Sequence, residues 1–428
     1  MSGAGLLIRN ALIVARPGKG DAPFFGWVRT RRKLIEALGA GDCAAGPAER
    51  VIDARGGALI PGMLNTHAHS HSSLTRGSAE GMTLEVWIAA IIREQVRLTP
   101  EQAYVGALAT YAEALLSGTT TVVDMCLFPE AAQRAAEEIG IRAVIAPYVA
   151  DTMRFAPTLA QTGRWLAASK HQRVRYWVGL HDLESVSDER IVEGVALARA
   201  YGVGVHMHCA ESRRWTDQTL ARTGRTPFAH LEHLGALQGA MHLAHCVWAN
   251  DADQALLAAR GGSVAHCPHA NLKLGSGIAP VAAMLRAGVT VALGTDGAKA
   301  NNRLDMFDVM KFASLLPKGM DRDPTLLAPD AVLGLATAAG AQALRLPCGA
   351  IEAGKAADLT VVSVDHFHLQ PAVPETIVTN LVHAARGSDV DTVIVDGEAV
   401  VEQGRLVRCD QARILGELKR VARDLLAG

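Results

Sequence analysis

From about residue 60 to residue 296 the chain repeats one alternation, a short apolar run followed by a segment of helical periodicity. After an opening strand near residue 60, the runs are Thr119–Val123, Arg142–Val149, Val174–His181, Gly202–Glu211, Met241–Val247, Ser263–Pro268 and Val289–Asp296. About eight strand candidates separated by helices is the pattern of a (β/α)8 TIM-like barrel, an α/β fold. Such a barrel places its chemistry at the C-terminal ends of the strands, so polar residues there invite a functional reading.

Both ends of the chain have a different rhythm. Residues 5–16, 26–37 and 51–60 read as short strands, with Gly18-Lys19-Gly20-Asp21 and Gly39-Ala40-Gly41-Asp42 as turns. This module is too small for a full core. It is expected to pair with the far C-terminus, where Asp358–Val362 and Thr392–Val401 repeat the signature and Asp396-Gly397 marks a hairpin.

A length of 428 residues, 49% of them hydrophobic, allows a large barrel plus a satellite. A net charge of −1 argues against a nucleic-acid partner, which calls for a basic field. Seven scattered cysteines without paired spacing suit a reducing, cytoplasmic compartment. The N-terminal apolar runs are split by Arg9-Asn10, which argues against a signal peptide, and no run is long enough to span a membrane.

The strand ends are rich in histidine. The first, Asn65-Thr66-His67-Ala68-His69-Ser70-His71, puts alternate imidazoles on one face. The fifth gives His206-Met207-His208 and then Glu211, the sixth ends in His245, the seventh in His266-Cys267-Pro268-His269, and the eighth in Gly294-Thr295-Asp296-Gly297. Taken singly, His171, His206, His233 and His242 read as ordinary hydrogen-bonded histidines. Three histidines and an aspartate at the ends of strands of one barrel carry more weight.

A catalytic ion keeps a coordination position open for water. His67, His69 and His208 could supply three nitrogens and Asp296 an oxygen, whose second atom could accept a proton from the bound water. Such binding lowers the water's pKa from about 15.7 to about 7. Glu211, three residues beyond His208, is placed to protonate a ring nitrogen of a substrate and then carry a proton to a leaving amine. His245 is placed to hold or polarise the attacking hydroxide.

These motifs resemble the amidohydrolase superfamily, and within it the chlorohydrolase-like aminohydrolases: triazine hydrolases, guanine deaminase and 5-methylthioadenosine/S-adenosylhomocysteine deaminases. The resemblance rests on Pro61–His69, His208-Cys209-Ala210-Glu211, His245-Cys246, Asn271–Pro280, Gly294–Ala298, Asn301–Phe307 and Leu381–Ser388. It implies a barrel over residues 61–350 and a composite β-sandwich built from residues 1–60 and 351–428, the latter ending in a helix. It also implies one divalent metal, usually zinc and sometimes iron, and a homodimer or larger homo-oligomer. In it Glu211 is the acid/base, His245 a catalyst outside the ligand set, and Asp296 both ligand and proton acceptor. The fourth strand ends Val178-Gly179-Leu180-His181, without the lysine that a two-metal relative would carry.

The sequence departs from the adenosine-type deaminases in three places. Asp182-Leu183-Glu184 replaces a Pro-Tyr pair after His181, Ala270 replaces a serine, and the ribose-gripping carboxylate falls on Glu94 or out of register on Gln95. Trp87, His181, Glu184 and His269 are read as substrate-binding residues. No glycine-rich phosphate cradle is present, and Arg76 and Arg154 are not clustered as a phosphate grip would be. The leading expectation is an aminohydrolase releasing ammonia from a planar purine, pterin, pyrimidine or triazine. Loss of a substituted amine or halide is the second reading, and an inactive barrel serving as an assembly protein the third.

Overall fold

The computed structural model describes residues 5–46, 49–238 and 240–427. Eight parallel barrel strands are present, beginning with Met63–Ala68, Thr119–Cys126 and Arg142–Pro147. The fourth is formed by Val174–Tyr176 and Val178–Leu180, interrupted at Trp177. Val205–Cys209, Met241–His245, Ser263–His266 and Thr290–Leu293 complete the set. Nearly every strand residue is buried, as expected when helices cover the outside of a parallel sheet and side chains fill its interior.

The strands pair in two arcs of four and five. The broken fourth strand belongs to both arcs, and a parallel bridge joins Val149 to Leu180. At the other seam the Asp296 N–H donates to the His67 carbonyl at 2.9 Å. Asn65 reinforces that seam, donating to Thr295 Oγ1 at 2.7 Å and accepting from the Thr295 N–H at 2.9 Å. The first and last strands, which carry His67 and lead to Asp296, are thereby locked in register.

The flanking β-sandwich is one hydrogen-bonded system of nine strands from both chain ends, eight in a single path and the ninth, Arg50–Asp53, paired beside it to Leu6–Ile13. Ala58–Pro61 is the junction, lying parallel to Leu6–Ile13 and antiparallel to Leu359–Val362. From Pro61 the chain passes through Gly62 into the first barrel strand. A Cβ at Gly62 would stand 2.2 Å from Thr120 Cγ2, so only glycine permits this approach. Arg142 ties the two bodies together, with Nε and Nη2 donating to Asp358 at 2.9 and 3.0 Å in a buried pair.

The run over residues 26–37 is not one strand. It is a hairpin of Phe24–Arg31 and Leu34–Ala40 that reverses through Arg32, at φ 55°. The turn lacks the glycine or asparagine that would announce it, and Gly39 and Ala40 are part of the second strand. Asp396 and Gly397, at φ 50° and 74°, make the hairpin turn between Val390–Val395 and Glu398–Glu402. The terminal helix Gln411–Ala427 packs on helix Pro100–Leu116 and on the short helix Ser70–Thr75 that follows the first histidine strand. All seven cysteines are unpaired. Among the described residues no helix is long and apolar enough to cross a membrane.

Candidate active site

Period-two alternation along Met63–Ala68 and the residue after it brings His67 and His69 into the barrel mouth. Their ring orientations follow from partners that can only accept. His69 donates from Nδ1 to the Met125 carbonyl (2.8 Å), and His208 donates from Nδ1 to the His181 carbonyl (2.7 Å). Neutral rings in these tautomers leave both Nε2 atoms as bare lone pairs, yet the two lie 3.2 Å apart. Two acceptors cannot hydrogen-bond each other. They can share a cation.

His67 follows the same logic at one remove. His206 donates from Nδ1 to the His242 carbonyl (3.0 Å), so its Nε2 accepts from His67 Nδ1 at 2.8 Å. That leaves His67 Nε2 as a lone pair, fully buried and without a hydrogen-bond partner. Asp296 Oδ1 stands 3.7 Å from His67 Nε2 and 3.5 Å from His69 Nε2. Ligand atoms of His67, His69 and Asp296 lie within 4.8 Å of one another, as do those of His67, His208 and His245. Burial depresses the pKa of His67, His69 and His208, keeping them in the neutral form that ligates metal. An orphaned buried nitrogen and two opposed lone pairs beside a carboxylate fit a divalent ion with nitrogen and oxygen ligands.

The backbone is strained where these side chains turn inward. Ala210, His245 and Asp296 adopt left-handed φ values of 48°, 71° and 62°. Non-glycine residues there cost of order 1–3 kcal/mol each, and such strain clusters at functional sites. A Cβ on Gly297 would approach Ser72 Oγ to 2.5 Å, so glycine lets the Asp296 loop close over the His69 strand.

Glu211 is buried, with Oε2 at 3.8 Å from His245 Nε2. Burial raises its pKa to about 7, against an opposing pull from His245. His245 is oriented through Nδ1, which donates to Asn271 Oδ1 at 2.9 Å. Glu211 is thus a carboxyl group that is substantially protonated near neutrality and faces an oriented imidazole.

These groups occupy one end of a cavity of about 870 Å³, including its mouth. Trp87 and His181 line it, whereas Glu184 and His269 do not. Asp182 causes the first departure: its Oδ1 accepts the N–H groups of Glu184 and Ser185, and this turn places Glu184 in a small adjoining pocket with His208, Glu211 and Trp215, where Thr219 donates to it. His269 packs against Phe312 instead, with ring centroids 4.2 Å apart and the planes tilted by 47°. His206 and His242 are core histidines hydrogen-bonded beneath the site, and His171 and His233 are exposed.

The sequence reading missed Tyr148 and Lys299 in the lining and Asp124 behind it. Tyr148 donates to His181 Nε2, while His181 Nδ1 faces Asp182 at 2.8 Å. Lys299, 2% exposed, pairs with Glu94 inside the cavity, and Gln95 bonds His71 at 3.0 Å. Asp124 braces the segment directly after His69, accepting from the Ser70 N–H at 2.9 Å and the Tyr111 hydroxyl at 2.7 Å. A tyrosine at the end of one apolar run and an aspartate inside another barrel strand were the available signals.

The amidohydrolase family model matches residues 58–400. The chain belongs to this family. It is 39% identical over 426 residues to a 5-methylthioadenosine/S-adenosylhomocysteine deaminase of Moorella thermoacetica, covering 97% of this chain and 98% of that one. It is 37% identical over 430 residues to a 5'-deoxyadenosine deaminase of Methanothermobacter thermautotrophicus, covering 98% and 99%. Among solved structures, an adenosine deaminase from Xanthomonas campestris with bound zinc superposes with a TM-score of 0.94 at 28% identity, covering 99% of both chains. A triazine hydrolase from Arthrobacter aurescens shares the fold, with a TM-score of 0.91 at 23% identity over 98% of this chain and 100% of that one. This amidohydrolase is a metal-dependent hydrolase of non-peptide C–N bonds of the deaminase type. The comparisons offer no support for an inactive assembly barrel.

Proposed function

We propose that this amidohydrolase removes the exocyclic amino group of an adenine-type ring carried by a nucleoside. The observation that carries the reading is Glu211, a buried carboxyl with a pKa of about 7 beside His245, at the end of the cavity where the metal-ready nitrogens converge. We assign His67, His69, His208 and Asp296 as the holders of a single ion, for which zinc suits the nitrogen and oxygen donors. When bound, the ion supplies a Lewis acid that makes hydroxide available at neutral pH by lowering a water pKa to about 7.

The chain's own residues then divide the proton work. Glu211 protonates the ring nitrogen next to the C–NH2 carbon, which weakens the ring's aromaticity as the carbon becomes tetrahedral. Asp296 accepts the proton that the nucleophile's oxygen releases as the carbonyl forms; that proton passes through the now-ionised Glu211 to the amine, which leaves as ammonia, and the next water to enter returns a proton to Glu211. His245, held by Asn271, keeps the nucleophile oriented and stabilises developing charge. Trp87 gives a flat ring an apolar surface.

An ammonia-release panel tests the reading. Adenosine, 5'-deoxyadenosine, 5-methylthioadenosine and S-adenosylhomocysteine stand beside guanine, an aminopterin, aminopyrimidines and amino- and chlorotriazines. Peptides, lactams and phosphate esters are controls. Turnover is expected among the adenine nucleosides. Turnover confined to triazines would favour halide or substituted-amine loss, and turnover confined to the controls would overturn deamination.

A further inference from the structure

The wall of the cavity away from the strand ends comes from outside the barrel ring. Ile88, Ile91 and Ile92 come from helix Leu84–Gln95, Leu98 from the turn after it, and Leu425 from the last turn of the terminal helix, more than three hundred residues later in sequence. That helix has an apolar stripe of Ile414, Leu418, Val421 and Leu425, spaced to share one face. The lower part of the stripe joins Leu74 and Val105, with Leu98 and Tyr104 beside them, in one small core. Leu74 belongs to the short helix directly after His69, so the chain's last helix is seated on the segment that carries a metal-site histidine.

The charged residues lining the same cavity are already engaged. Lys299 and Glu94 pair with each other, and Asp182 faces His181. Glu211 and Asp296 belong to the chemistry, and no arginine lines the cavity among the described residues. A zwitterionic or anionic tail entering this space would have to break the Lys299–Glu94 pair or remain unpaired, and burying an unpaired charge is costly. A short apolar substituent would instead meet isoleucine and leucine surface.

Resting on the nucleoside deaminase reading, we infer that the terminal helix is part of the substrate site. Leu425 and the isoleucines lining the same cavity form a compartment for a short apolar substituent on the sugar, in preference to a charged tail. Leu425 is a specificity-determining residue that completes the wall from the far end of the chain.

The test is steady-state deamination by the metal-loaded full chain of three nucleosides that differ only at the 5' position: hydroxyl, methylthio and homocysteinyl. Wild type is expected to favour methylthio over homocysteinyl by at least tenfold in kcat/KM. Leu425→Ala should raise KM for the methylthio substrate about fivefold with kcat within twofold, while the hydroxyl substrate changes little. Leu425→Arg should narrow or invert the preference for the uncharged tail, and Ile91→Lys, in the same cavity lining, should act in the same direction. Leu415→Ala, on the exposed face of the same helix, should leave all constants unchanged. Metal content and thermal midpoint, measured on each variant, identify any that fail to fold; Ile91→Lys decides the case if Leu425 variants do. A wild-type preference for the homocysteinyl tail, or substrate ratios unmoved in folded variants at both positions, overturns the inference and leaves deamination intact. No ammonia from any of the three nucleosides overturns the nucleoside reading together with it.

Discussion

Replacing Glu211 by glutamine should separate the cost of this site from its use. The folded chain raises that carboxyl from 4.5 to about 7 by burying it. Between those two values the native state holds a proton that the unfolded chain has released, so stability falls as pH rises across the window. At about 1.36 kcal/mol per unit, the full penalty is about 3 kcal/mol in metal-free protein. Glutamine cannot ionise and is free of this penalty. Urea unfolding of EDTA-stripped protein should therefore show wild type and Glu211→Gln close together near about pH 5, with the variant more stable by about 1–3 kcal/mol near about pH 8. Restoring a divalent cation should shrink the difference, because a nearby positive charge favours the carboxylate. In the metal-loaded enzyme the same substitution should lower kcat by about two to four decades while leaving metal content unchanged. A stability difference independent of pH would refute the linkage argument, and near-normal turnover would remove Glu211 from the proton work.

Elemental analysis should find one divalent ion per chain, and His67→Ala should lose it, since that residue's buried Nε2 has no other partner; two ions per chain would refute the single-ion assignment. Arg142→Met should destabilise the fold by about 3–5 kcal/mol in chemical denaturation, because Asp358 is left buried and unpaired. Light scattering at micromolar concentration should show a homodimer or larger closed assembly; a stable monomer would contradict it.

The alternation of apolar runs and helices, and the histidines at the run ends, were legible because they are local. Side-chain alternation along a strand and the length of each run are written in neighbouring residues, and they suffice to bring His67, His69, His208, His245 and Asp296 to one end of one barrel. Asp396-Gly397 was legible for the same reason. The reversal at Arg32 was not, because an ordinary residue occupies the left-handed position there. Of the four residues read as substrate-binding, Trp87 and His181 line the cavity; Glu184 and His269 do not, because a turn capped by Asp182 and a contact with Phe312 redirect them, and these depend on tertiary packing rather than spacing. Which imidazole nitrogen is free also lies outside the sequence pattern, since it depends on the carbonyls of Met125, His181 and His242 arriving opposite particular ring atoms. Periodicity determines which face of an element turns inward, and so the sequence alone named the side chains proposed as metal ligands. Which distant element that face meets depends on packing the whole chain, and so only the tertiary structure paired Lys299 with Glu94 and brought Leu425 from the chain's last helix to the substrate cavity.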